Sequence, residues 1–239
     1  MTIFCWKVLI TVSDGFSYID ENLRRIRDNV SEAMDKYRNA GDIVRIMAVT
    51  KTVPPEAVNH AIGLGIDLLG ENRVQEYQSK ADKYDKSAEV QFIGHLQTNK
   101  VKYIIGSVSM IQSVDSFKLA QEIDRISKNK GLVTDVLCEV NIGGEDSKSG
   151  VSPDALKELM DQISELENIK LRGLMTIPPP WDSDLFLGRM QELYNKYADE
   201  KSFDVLSMGM THDYAEAVKY GSTLVRIGTG LFGARDYSK

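Results

Sequence analysis

Strand-like and helix-like segments alternate along this chain from end to end, and that alternation restricts the fold more than any other feature. Ile19, Leu23, Ile26, Val30, Ala33/Met34 and Tyr37 recur at steps of three and four, which predicts an amphipathic helix ended by Gly41. Residues 43–50, rich in β-branched and other apolar types, form the first predicted strand, and Pro54-Pro55 opens a helix over 56–64. Further strands are predicted over 66–69, 90–94, 107–114, 133–140, 171–177, 203–207 and 223–227. Between them lie predicted helices to about Tyr84, over 98–105, and around Leu119, Ile123 and Ile126. Ser152-Pro153 reads as the cap and first position of the next, and two more cover 184–200 and 213–220. Eight strands joined through helices imply right-handed crossovers and a parallel sheet. Eight is the number that closes, and 239 residues is near the roughly 250 typical of such barrels. The competing open, doubly wound sheet often carries a Gly-rich turn after its first strand, whereas here that turn is Lys51-Thr-Val-Pro-Pro55. The expected fold is therefore α/β, a single (β/α)8 TIM barrel over residues 17–239 behind an N-terminal extension, residues 1–16.

The formal net charge of -6 gives no general attraction to nucleic acid or anionic lipid. Cys5 and Cys138 lie far apart, the second inside an apolar run, a reduced and cytoplasmic pattern. Residues 1–12 are apolar but too short to span a bilayer. They also lack the basic start and cleavage site of a secretory signal. Neither nucleic acid nor membrane is expected as a partner. The histidines and cysteines show no ligand spacing, so no metal is expected, and there is no Gly-x-Ser-x-Gly elbow.

In such a barrel the chemistry lies at the C-terminal ends of the strands. Standing there are Lys51, Glu71 and Asn72, His95, Ser113 and Asp115, Asn141, Met175 and Thr176, Ser207, and Arg226 with Thr229. An amine at the end of a buried strand is costly to desolvate as a cation, so its pKa is expected to fall. That suits a neutral nucleophile toward an aldehyde; the plainer alternative is a lysine that snorkels to solvent. Ser207-Met-Gly-Met-Thr-His212 and Arg226-Ile-Gly-Thr-Gly-Leu-Phe-Gly233 each lead from a strand toward a helix start. Glycines, hydroxyls and free N–H groups at such starts suit a phosphate, and the loops after strands seven and eight are its frequent place. His212 is expected beside that phosphate loop, His60 on a helix surface or in helix packing, and Lys148 in a solvated loop facing the same rim. Lysine and phosphate cradle together satisfy pyridoxal 5'-phosphate held as a lysine imine. A Schiff-base aldolase acting on a sugar phosphate fits them too.

At this point the residues also resemble a family. Ala48-Val-Thr-Lys-Thr52, Gly70-Glu-Asn72 with Val74-Gln-Glu76, and Phe92-Ile-Gly-His-Leu-Gln-Thr-Asn-Lys100 are among the matching stretches. Ser147-Lys-Ser-Gly150, Arg172-Gly-Leu-Met175, Ser207-Met-Gly-Met210, Val225-Arg-Ile-Gly-Thr229 and Phe232-Gly-Ala-Arg-Asp-Tyr237 continue them in order. They resemble the pyridoxal phosphate homeostasis proteins, the YggS or PROSC-like group. The resemblance implies a barrel like the N-terminal domain of alanine racemases, with pyridoxal 5'-phosphate on Lys51. It implies Arg226 at the pyridine nitrogen, Ser207, Gly228 and Thr229 at the phosphate, and Asn72 and His95 lining the pocket. Thr211 stands where the family usually has serine and keeps the hydroxyl. An arginine at the pyridine nitrogen disfavours its protonation and weakens the ring as an electron sink. Racemisation also needs a second base, which in alanine racemases resembles a tyrosine from the partner subunit's second domain; the eight units here use up the chain. The implied function is a cytoplasmic, monomeric carrier that keeps pyridoxal phosphate in balance without strong catalysis and passes it to cofactor-free enzymes. The alternative is a weak amino-acid racemase or lyase.

Overall fold

The structure, a computed structural model, describes residues 15–234. Of the expected extension only Gly15 and Phe16 are therefore described, and Cys5 lies outside. Helix α1, Ser17–Tyr37, comes first and buries the predicted stripe of Ile19, Leu23, Ile26, Val30 and Ala33. It stops short of Gly41: the N–H of Arg38 already closes it on the Met34 carbonyl, and Gly41 (φ 97°) turns the chain toward the sheet instead.

Eight strands follow: β1 Arg45–Val49, β2 Leu68–Glu71, β3 Glu89–Phe92, β4 Met110–Val114, β5 Thr134–Val140, β6 Ile169–Thr176, β7 Val205–Ser207 and β8 Leu224–Ile227. They pair in sequence order as a closed parallel barrel, and β8 returns to β1 in the register Arg45↔Leu224 to Ala48↔Ile227. Most are shorter than their apolar runs, since Ile43 and Val133 stand exposed before β1 and β5. Around them lie α2 Pro55–Gly63, α3 Val74–Lys80, α4 Phe117–Lys130, α5 Leu156–Ser164, α6 Ser183–Lys201, α7 Tyr214–Lys219 and the short α8 Thr229–Phe232. The predicted helix after β3 is a 3-10 turn, Thr98–Tyr103. Pro153 does not open α5. It sits in a preceding turn, where the Ser152 carbonyl accepts from the Ala155 N–H at 3.1 Å.

Alternate strand residues face the axis and the helices. The outer layer is continuous apolar packing between sheet and helices. The axis is less uniform. Met47, Val49, Leu68, Ile93 and Leu224 fill one part, and Met110, Leu137 and Met175 another. Gln91, Gln112, Glu139, Ser207 and Arg226 are buried as well, where barrels of this kind usually carry bulky branched side chains. Gly173 lets β6 and β7 meet: a Cβ there would stand 1.8 Å from the Val205 carbonyl oxygen. No helix among the described residues is long and apolar enough to cross a membrane.

Candidate functional site

Period-two alternation carries Val49 and Arg226 toward the axis, and the residues two further on, Lys51 and Gly228, emerge above them. Lys51, Asn72, Thr211, Arg226, Gly228 and Thr229 line one cavity of about 180 Å³, together with Val49, Ile93, Ile177, Met210 and His212. Residues from six strand ends, those of β1, β2, β3, β6, β7 and β8, thus converge on one space at the C-terminal face.

Arg226 forms its floor. The side chain is buried, with Nη1 donating to Ser207 Oγ at 2.6 Å and Nη2 to the Thr176 carbonyl at 2.7 Å. Burial pushes its pKa down to about 10, opposed by the negative charges of Glu139 and Asp213. It therefore stays a cation near neutrality. The side chain is fixed by neutral acceptors, while carboxylates act on it only from a distance.

The other end of the cavity collects donors. Thr211 Oγ1 accepts from the Gly230 N–H at 3.0 Å and from the Thr229 hydroxyl at 3.3 Å. Both of its lone pairs are engaged, so its single proton is left for a third group. The N-terminus of α8 begins at the same place. Gly230 permits this packing, because a Cβ would lie 2.9 Å from Thr211 Cγ2. The turn before α7 is pinned by the Met210 N–H, which donates to Asp213 Oδ1 at 2.6 Å. In the opposite wall, Asn72 Oδ1 is buried without a hydrogen-bond partner among the described residues. Such an atom is costly unless a ligand serves it. The Asn72 backbone is held by Gly94, where a Cβ would come 2.2 Å from the Asn72 carbonyl oxygen. An amine, a fixed cation, converging hydroxyls at a helix start and an orphaned amide oxygen fit a small phosphorylated aromatic aldehyde such as pyridoxal 5'-phosphate.

Two expected site residues stand elsewhere. Ser207 pairs in register with Leu224, one inward-facing layer below Arg226. It is fully buried, accepts from Arg226, and donates its proton to Gln112 Oε1 at 2.7 Å. Ser207 does not line the cavity, whereas Thr211 does. His95 follows β3, but Ile93 takes the position facing the cavity. The His95 ring is largely exposed and turns along the rim, with Nδ1 3.7 Å from Asp115 and 3.4 Å from Ser149 Oγ.

Other rim residues also depart from expectation. Glu71 points outward beneath the helices and accepts from the Thr50 and Tyr84 hydroxyls at 2.6 Å each, with burial raising its pKa. Lys148 is not simply solvated. It pairs with Glu145 at 2.6 Å and donates to the Pro178 carbonyl at 3.2 Å, tying the loops after β5 and β6 together. Away from the rim, His60 takes part in helix packing as expected, against the Phe16 ring and 3.4 Å from Asp20. A group that the motifs did not single out is Glu139, inward-facing on β5, which burial and the nearby charge of Asp115 push up to about 7. Its only signal in sequence is an acid between Cys138 and Val140, in the apolar half of its strand.

Known proteins share this sequence and fold. The family model for the alanine racemase N-terminal domain matches residues 22–236. The pyridoxal phosphate homeostasis protein of Aquifex aeolicus is 42% identical over 224 residues, 91% of this chain and 98% of that protein. PipY of Synechococcus elongatus, solved with PLP bound, superposes with a TM-score of 0.76 at 28% identity, covering 90% of this chain and all of PipY (100%). An alanine racemase of Clostridium difficile gives a TM-score of 0.71 at 18% identity, covering 90% of this chain and 57% of that one, a likeness of fold alone. The chain therefore belongs to the alanine racemase N-terminal domain family and, within it, to the pyridoxal phosphate homeostasis proteins.

Proposed function

We propose that this protein carries pyridoxal 5'-phosphate on Lys51 and passes it to cofactor-free enzymes without strong catalysis of its own. The observation behind the reading is the single cavity that joins Lys51, Arg226 and the Thr211–Thr229 hydroxyl pair. The relatives' names and the PLP-bound PipY support the cofactor. That cofactor supplies an aldehyde that condenses with amines and a ring that draws electrons when its nitrogen is protonated.

Lys51 would hold the aldehyde carbon through Nζ as an imine. Thr211, with its proton left over, and Thr229, by turning its proton from Thr211 to a phosphate oxygen, would hold the phosphate at the start of α8. Gly228 keeps the approach to that end free of a side chain. Asn72 would line the ring's edge with its unserved amide oxygen. Arg226 would meet the ring nitrogen. A guanidinium donates and never accepts, so it presents positive charge to that nitrogen and keeps a proton off it. Among the described residues, no carboxylate lines the cavity. The protein environment thus favours holding an amine-bound aldehyde over stabilising a carbanion. A cytoplasmic, monomeric state belongs to the same reading, and the free, buried Cys138 fits a reducing compartment.

Exchange of amino-acid α-hydrogens into deuterated solvent, followed by NMR with alanine and several other amino acids, tests the claim. Loaded protein is expected to exchange them far more slowly than the ~1 per second of ordinary enzymes. Turnover at enzymatic rates, abolished by Lys51→Ala, would replace the carrier with a racemase or lyase.

A further inference from the structure

Beneath the cavity, four buried polar side chains form one line through the barrel interior. Arg226 Nη1 donates to Ser207 Oγ at 2.6 Å, Ser207 donates to Gln112 Oε1 at 2.7 Å, and Gln112 Nε2 donates to Gln91 Oε1 at 2.6 Å. Each direction is forced by the one before it. A guanidinium only donates, so Ser207 must accept and send its single proton onward. The oxygen of Gln112 is then an acceptor, and its amide nitrogen must face Gln91. Gln91 also lines a separate cavity of about 450 Å³ at the opposite mouth of the barrel.

Ser207 and Gln112 show no exposure, and Gln91 and Arg226 are 3% exposed. Burying amides in a barrel interior is unfavourable unless every group is paired, and branched apolar residues are the usual occupants. This line is paired at every link, and such networks hold one arrangement. We propose that Gln112 is a positioning residue for Arg226. It takes the proton of Ser207 and so keeps that hydroxyl's lone pairs turned toward the guanidinium. Without that acceptor the hydroxyl is free to rotate, and one of the two contacts that fix Arg226 is lost. The line also ends in neutral amides, so Arg226 is oriented without being neutralised by a bonded carboxylate. This role rests on the reading in which Arg226 meets the ring nitrogen of pyridoxal 5'-phosphate.

The test loads wild type, Gln112→Met and Gln112→Glu with pyridoxal 5'-phosphate. It measures affinity, the visible absorbance band from pH 5 to pH 9, and thermal unfolding of the cofactor-free proteins. Gln112→Met is expected to weaken binding about tenfold, the size of one buried hydrogen bond, and to shift the pH at which the band changes. Gln112→Glu keeps an acceptor for Ser207 and is expected to recover affinity to within about threefold of wild type. Gln91→Met cuts the line one link further out and should shift the band in the same direction by less, which serves if Gln112→Met fails to fold. Variants at both glutamines with wild-type affinity and band would overturn the role. So would a Gln112→Glu protein as impaired as Gln112→Met. A wild type that takes up no cofactor would instead overturn the functional reading, and this role with it.

Discussion

Glu139→Gln probes the charge balance beneath the cavity, and its effect depends on pH in a way the structure fixes. Glu139 faces the axis from β5, in register with Met175, and its carboxyl makes no hydrogen bond among the described residues. Burial and Asp115 raise its pKa from 4.5 to about 7, with Arg226 opposing. A rise of that size corresponds to roughly 3 kcal/mol. The folded carboxyl holds its proton more tightly than the unfolded one, so between about pH 4.5 and pH 7 the folded state binds more protons. Wild type should therefore lose stability as pH rises through that window and level off above it. Glutamine mimics the protonated acid and carries no such penalty. Part of the gain is offset because Arg226 loses the attraction of the ionised acid. The expected result is little difference near pH 5 and a variant more stable by about 2 kcal/mol at pH 8. Urea unfolding at pH 5, 6, 7 and 8 reads this directly. A difference that does not change with pH, or a variant less stable at pH 8, would refute the reasoning.

Two other substitutions test the walls of the site. Thr211→Ala combined with Thr229→Ala should leave the fold intact and weaken pyridoxal 5'-phosphate binding at least tenfold by equilibrium dialysis, since each hydroxyl bonded to a phosphate oxygen contributes about 1.5 to 3 kcal/mol. Unchanged affinity would place the phosphate elsewhere on the rim. Gly94→Ala puts a Cβ 2.2 Å from the Asn72 carbonyl oxygen, so thermal unfolding should show a loss of more than about 3 kcal/mol; a near-neutral result would mean that the two loops separate easily.

The barrel was readable because its signals are local. The stripe from Ile19 to Ala33 and the apolar strand runs each declare a period, and eight such runs admit few topologies. Lys51, Asn72, Thr211, Arg226, Gly228 and Thr229 line one cavity, a neighbourhood that sequence can suggest because strand ends in a closed barrel share a face. What the sequence leaves open is depth and direction. Ser207 and Arg226 both face the axis, and only the register Ser207↔Leu224 puts the serine a layer lower. His95 lies beyond its strand, where no periodicity aims a side chain. Gln91, Gln112 and Glu139 are polar residues at inward-facing positions of strands that carry other polar residues too. Their partners lie on other strands, so a single strand's pattern marks them without saying what they bond.

The central claim is that Lys51 holds the cofactor. Purified protein loaded with pyridoxal 5'-phosphate, reduced with borohydride, digested and mapped by mass spectrometry addresses it most directly. The reduced adduct is expected on the peptide containing Lys51, with no adduct and no visible band in Lys51→Ala. An adduct solely on Lys148 or Lys239, or an unaltered band in Lys51→Ala, would contradict it.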